Sequence, residues 1–146
     1  MIALIQRVCR AHVEVDGAVV GRIDTGLLAM IAIQAADGEA QAKRLLARVR
    51  GYRVFPDEVG RMNLSLSETG GALLLVSQFT LAADTRKGMR ASLATAASPA
   101  HAERLYLYLL ELARASGVPV ASGRFGANMQ VHLVNDGPVT FWLEAR

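Results

Sequence analysis

The chain has 146 residues, 52% of them apolar and 20% charged, with a formal net charge of +3. That length suits one domain able to bury roughly two thirds of its unfolded surface, and the composition excludes a disordered chain. The lone cysteine, Cys9, excludes an internal disulfide and every paired-cysteine zinc or redox motif, and no apolar run reaches the about 18 residues of a membrane span; with no signal peptide in view, a cytoplasmic protein is expected.

In chain order, the residues up to Ile23 read as strands. "IALIQRV", "HVEV" and "AVVGRI" follow one another, and Asp16-Gly17 between the last two is a two-residue hairpin signal. "GLLAMIAI" is apolar throughout, as a strand buried on both faces would be. Asp37 is an expected N-cap for a helix whose Ala42, Leu45, Leu46 and Val49 fall at i, i+3, i+4 and i+7, with Gly51 as its stop. Lys43, Arg44, Arg48 and Arg50 lie mainly off that stripe, on what reads as a solvated face.

"GGALLLVSQF" reads as a buried strand running into a polar cluster, and "AADTRKGMRASLATAAS" has the small and charged composition of a long surface loop. Arg86, Lys87 and Arg90 concentrate positive charge there, either to hold a phosphate or as an ordinary basic loop. A second helix opens with Ser98 as N-cap and Pro99 at its first position, places Leu105, Leu109 and Leu112 on one side, and ends by Gly117. The tail returns to strand through "NMQVHLVN" and "VTFWLEA". Gly137-Pro138 separates those two runs; proline cannot donate to a β ladder, and the "NDGP" composition reads as a turn.

The usual nucleotide and hydrolase motifs are missing: there is no GxGxxG before a helix, no GxxxxGK[ST] and no GxSxG. His12, His101 and His132 are scattered without a metal-ligand spacing, so surface or structural roles are expected for all three and no metal. Ser77-Gln78-Phe79-Thr80 differs in kind. It delivers two hydroxyls, an amide and an aromatic ring to the end of a central strand, where α/β folds place ligands, although such groups also satisfy local backbone. In "GRFGANM", Phe125 and Met129 sit in a glycine-rich turn that suits either a stacked base or core packing.

Together, "IQRV", "SQFTLAADTRKGMR" and "GRFGANMQVHLVNDGPVT" closely resemble the D-aminoacyl-tRNA deacylase family, also called D-tyrosyl-tRNA deacylase, over the whole of residues 1–146. The resemblance implies a single α/β domain with layered β/β/α order, two main helices, and active sites at a homodimer interface. It implies hydrolysis of the ester joining a D-amino acid to the 3′-terminal adenosine of tRNA, removal of glycine mischarged on alanine tRNA, and no cofactor. By the same resemblance Ser77, Gln78, Phe79 and Thr80 line the ester site, and Phe125 and Met129 wall the terminal adenine. Gly137 and Pro138 match a Gly-cisPro motif inserted into the partner subunit's pocket, where it holds the α-ammonium group and leaves no volume for an L side chain. Thr80 is a candidate nucleophile; the favoured route instead uses main-chain N–H groups around Phe79 and Thr80 for the oxyanion and the substrate's 2′-hydroxyl to activate water. After Gly88-Met89-Arg90 the chain reads Ala91-Ser92-Leu93 where the family usually has Pro-Ser-Phe. The alternative from another class is a non-catalytic dimeric RNA-binding module.

Overall fold

The computed structural model describes residues 1–146. Strands β1 (Ile2–Val15), β2 (Ala18–Ile23) and β3 (Gly26–Ala32) come first. The β1–β2 hairpin turns on Asp16 and Gly17, with φ of 51° and 77°, the two positive values that an Asp-Gly hairpin turn requires. Helix α1 (Glu39–Gly51) follows, then the short strands β4 (Phe55–Pro56) and β5 (Met62–Leu64) and the single-turn helix α2 (Leu66–Thr69). Strand β6 (Ala72–Ser77) leads into a 3-10 turn, Phe79–Ala82. Helix α3 (Pro99–Arg114) and strands β7 (Val120–Ser122) and β8 (Gln130–Glu144) complete the chain.

The main sheet runs β2-β1-β3-β6-β7, and β8 covers the other edge of β1. β3, β6 and β7 are parallel, whereas β1 pairs antiparallel with β2, β3 and β8. Strand β1 changes allegiance along its length. Ala3 and Ile5 enter the main core with α1 and α3, while Val8, Ala11 and Val13 enter a second cluster with Leu28, Leu74 and Val76 on the opposite face of β3 and β6. The buried positions change phase around Val8, where the β1–β8 register shifts on both sides. Such irregularities bend a strand and re-aim its side chains. Helices, central strands and the β1–β2–β8 arm therefore stack in β/β/α order, an α/β fold with two long helices and one short one.

Ala42, Leu45, Leu46 and Val49 of α1, and Leu105 and Leu109 of α3, are buried as their periodicity predicts, while Leu112 at the edge of the α3 stripe is half-buried. Two local expectations are overturned. Asp37 does not cap α1; Gly38 does, and its N–H donates to the Gln41 Oε1 at 3.0 Å. The Asp37 carboxylate is taken by the Met1 ammonium at 2.5 Å and by the Gln34 N–H at 2.7 Å. An ammonium that is fully buried needs a counter-charge, and that demand outweighs capping. The second concerns "NDGP", which makes no turn between strands. β8 is one continuous strand, and both its halves pair with β1. Between the Val8–Asn135 and Gln6–Thr140 pairs, four residues of β8 oppose one of β1, so the interruption is absorbed as an irregular, enlarged bulge. The Gly137-Pro138 bond within it is cis. No helix is long and apolar enough to cross a membrane.

Candidate functional site

A cavity of about 260 Å³ opens at the carboxyl end of β6. Pairing builds it. β3 and β6 run in register from Gly26–Ala72 to Ile31–Ser77, and the Gln78 N–H donates to the Ile31 carbonyl at 2.7 Å, so Ile31 and Ser77 reach the cavity side by side. The Ala97 N–H donates to the Ile33 carbonyl at 3.0 Å and brings the start of α3, with Pro99 and Ala102, over the opening. On the far side β7 pairs with β6, and the Gly123 N–H bonds the Leu75 carbonyl at 2.9 Å, which delivers Phe125 and Gly126.

Ser77, Gln78, Phe79 and Phe125 thus meet in one cavity although nearly fifty residues separate the first from the last. Phe79 stands 58% exposed at the rim, a large apolar ring with nothing of its own chain to cover it. Thr80 lies one step outside the lining, and its Oγ1 accepts a short hydrogen bond from the Gln78 Nε2. The N–H groups of Phe79 and Thr80 open the 3-10 turn, a position that leaves them without an intrahelical acceptor. Beneath Phe125, at 5.8 Å between ring centroids, Tyr106 is buried and donates its hydroxyl to the Leu75 carbonyl at 2.9 Å. Burial pushes that phenol well above its ordinary range, so it is a fixed neutral donor.

No ionisable side chain lines the cavity. His101, the nearest histidine in the sequence to Thr80, meets the Asp37 carbonyl through Nε2 at 2.9 Å. In the loop after the 3-10 turn, Asp84 and Ser92 exchange backbone hydrogen bonds of 2.8 and 3.0 Å, so the loop closes on itself without the proline and phenylalanine of the family pattern. Arg86 is spent on Asp84, whose carboxyl it holds well below the usual range. Lys87 and Arg90 are exposed and enter no ion pair.

Besides Thr80, three expected site residues lie outside this cavity. Met129 is packed against the second cluster, on the other face of β6 from Phe125, so the two do not form one wall in the chain. Gly137 and Pro138 are exposed on β8 and touch no part of the cavity. A residue the motifs did not single out braces them: Arg7 donates from Nε to the Asp136 carbonyl at 3.1 Å and from Nη1 to the Val54 carbonyl at 2.5 Å, and pairs with the Asp136 carboxylate. The Val139 N–H also donates to Asn135 Oδ1 at 2.7 Å. Only the β1–β8 pairing reveals that connection.

Fold and cavity define an α/β protein whose candidate ligand site sits at the end of a parallel strand, offering main-chain donors, a hydroxyl and an amide in place of acids and bases. The chain belongs to the D-Tyr-tRNA(Tyr) deacylase family, whose model matches residues 4–144. It is 70% identical over 146 residues to the D-aminoacyl-tRNA deacylase of Alkalilimnicola ehrlichii, covering 100% of this chain and 97% of that protein. The D-aminoacyl-tRNA deacylase of Thioalkalivibrio sulfidiphilus is 65% identical over 144 residues, covering 99% and 97%. Among solved structures, c-Myc DNA Unwinding Element Binding Protein superposes with a TM-score of 0.95 at 36% identity, over 100% of this chain and 99% of that one.

Proposed function

We propose that the protein is an editing hydrolase, a D-aminoacyl-tRNA deacylase that cleaves the ester between a D-amino acid and the 3′-terminal adenosine of tRNA. One observation carries the chemistry: the cavity offers hydrogen-bond donors and no titratable group. Thr80 therefore has no base to make it a nucleophile, and its Oγ1 already accepts from Gln78. The Phe79 and Thr80 N–H groups stabilise the oxyanion, and the substrate's 2′-hydroxyl activates the attacking water. This hydrolysis needs no metal or organic cofactor. Phe125 stacks on the terminal adenine, while Lys87 and Arg90 lie where a tRNA phosphate could be met.

Gly137 and Pro138 act in a homodimer, each entering the pocket of a second copy. Their exposure, and their absence from the cavity lining of their own chain, support that reading. A side chain of L configuration meets this wall, whereas glycine presents nothing to exclude, so glycine on alanine tRNA is also a substrate. The enzyme works in the cytoplasm, where charged tRNA is found.

Incubation with D-tyrosyl-tRNA and L-tyrosyl-tRNA tests the proposal. Release of D-tyrosine at catalytic protein concentration, with L-tyrosyl-tRNA intact, is expected; equal rates on both, or tRNA binding without release, would support the RNA-binding module instead. Thr80→Ala is expected to keep kcat/KM within about tenfold, since loss of a covalent nucleophile costs on the order of 10⁶-fold; single-turnover kinetics decide between the two. Phe125→Ala is expected to lower kcat/KM about 5- to 150-fold, the cost of one lost base stack of roughly 1–3 kcal/mol. Phe125→Leu, measured beside it, separates stacking from the filling of space over Tyr106.

A further inference from the structure

The outward face of the β1–β8 pair carries a cluster that the cavity does not use. His12 and His132 are register partners, and directly opposed residues in an antiparallel pair project from the same face about 5 Å apart. Their rings stack with centroids 4.4 Å apart and planes 5° from parallel. Glu14 lies two residues beyond His12 and so on the same face. Its Oε1 is 3.2 Å from His12 Nε2 and its Oε2 is 3.7 Å from His132 Nε2. One ligand atom from each of the three side chains lies within 4.8 Å of the other two. Ala11 and Val13 point the other way, into the second apolar cluster, which leaves the three polar groups partly open to solvent.

We propose that His12, Glu14 and His132 form a three-ligand site for a divalent transition metal, with zinc the ion that the donor set fits best. Imidazole nitrogen with one carboxylate suits zinc, nickel or copper, whereas magnesium and calcium take shells of oxygen. A tetrahedral zinc at about 2.0–2.2 Å from nitrogen and oxygen holds its ligand atoms about 3.3–3.5 Å apart; the three ligand atoms here lie within 4.8 Å of one another, and rotation of the stacked side chains brings them to that spacing around one carboxylate oxygen. The ion takes Nε2 of each neutral imidazole in the tautomer that carries its proton on Nδ1, binds the ionised carboxylate, and leaves a fourth position for water. Arg22 is the register partner of His12 on β2, so a fixed positive charge stands beside the site.

The site lies ten residues along β1 from Ile2, the register partner of Ala32 beside the cavity, about 33 Å of strand, so the ion does not reach the cavity of its own chain. It clips the start of β8 to β1, five residues before Gly137 on the same strand. The proposal is independent of the deacylase reading and has a readout of its own.

Tag-free full-length protein is titrated with zinc by calorimetry and with cobalt by visible absorption. One ion per chain, a rise in melting temperature and the visible bands of low-coordinate cobalt are expected. His132→Ala and Glu14→Gln, both partly exposed positions, should melt near the wild type without metal and bind at least about tenfold more weakly, a loss that even changes around a ligand set can produce. Cys9→Ser and His101→Ala should bind as the wild type does. Absence of stoichiometric binding, wild-type binding by either ligand variant, or loss in Cys9→Ser or His101→Ala alone overturns the assignment.

Discussion

Gly137→Ala is expected to lower kcat/KM on D-tyrosyl-tRNA by about 100-fold and to reduce the preference for D over L substrate, with a fall in melting temperature of only a few degrees. Gly137 has φ of +136°, a backbone conformation that L residues rarely adopt. An added Cβ would lie 2.7 Å from Val139 Cγ2, 3.1 Å from the Val139 nitrogen and 3.2 Å from Arg7 Nη2. The backbone strain is worth roughly 1–3 kcal/mol. The segment relieves it by moving, and the atoms that must give are those that position it: Arg7, which holds Asp136, and Val139, which is tied to Asn135. A displacement near 1 Å in a positioning element costs about 10² in rate, far more than the same strain costs in stability. Arg7→Ala is the companion variant. It removes the brace without touching the step itself, so a matching loss of D/L discrimination shows that placement matters. If Gly137→Ala keeps both rate and discrimination within threefold, this step is not the chiral filter.

The parts of the fold that were legible in the sequence are those governed by neighbours along the chain. The α1 stripe, the Ser98-Pro99 helix start and the Asp16-Gly17 turn each need only local spacing, and each stands where it was expected. Asp37 was misread because its partner is the ammonium of Met1, thirty-six residues away, and no local rule weighs a buried charge against a cap. "NDGP" was misread for a related reason: turn composition is also bulge composition, and only the register with β1 tells them apart.

The candidate site divides along the same line. Ser77 to Phe79 are one stretch, and their arrival at a strand end follows from the apolar run before them. Phe125 joins them through the parallel β6–β7 pairing, which a motif can mark but not locate. Met129, four residues later, crosses to the other face of the sheet. The histidines show the limit most plainly. His12 and His132 stand 120 residues apart in the chain, and only the β1–β8 register shows that their rings stack.

The largest effect on the fold is expected from the smallest change, Gly26→Ala. Gly26 opens β3 and pairs with Ala72 at the start of β6. A Cβ there would lie 1.9 Å from the Ala72 oxygen, 2.7 Å from its nitrogen and 2.8 Å from its carbonyl carbon. All three are backbone atoms of a central strand, so no side chain can turn aside and the two strands must part. Loss of more than about 4 kcal/mol is expected, or a fall of about 10 °C or more in melting temperature for a domain of this size. Gly51→Ala is the matched control, because a Cβ at the end of α1 meets nothing within 4 Å. There the same substitution replaces the most flexible residue with the best helix former, and a gain of about 0.5–1 kcal/mol is expected. Thermal melts of the two variants should therefore move in opposite directions. Gly26→Ala also tests how the site is built, because five register pairs beyond Gly26–Ala72 the same ladder sets Ser77 beside Ile31. Any variant that folds at low temperature should have lost deacylation more than tRNA binding; melting within about 1 kcal/mol of the wild type would mean that β6 can shift freely, and that its register does not position the ester site.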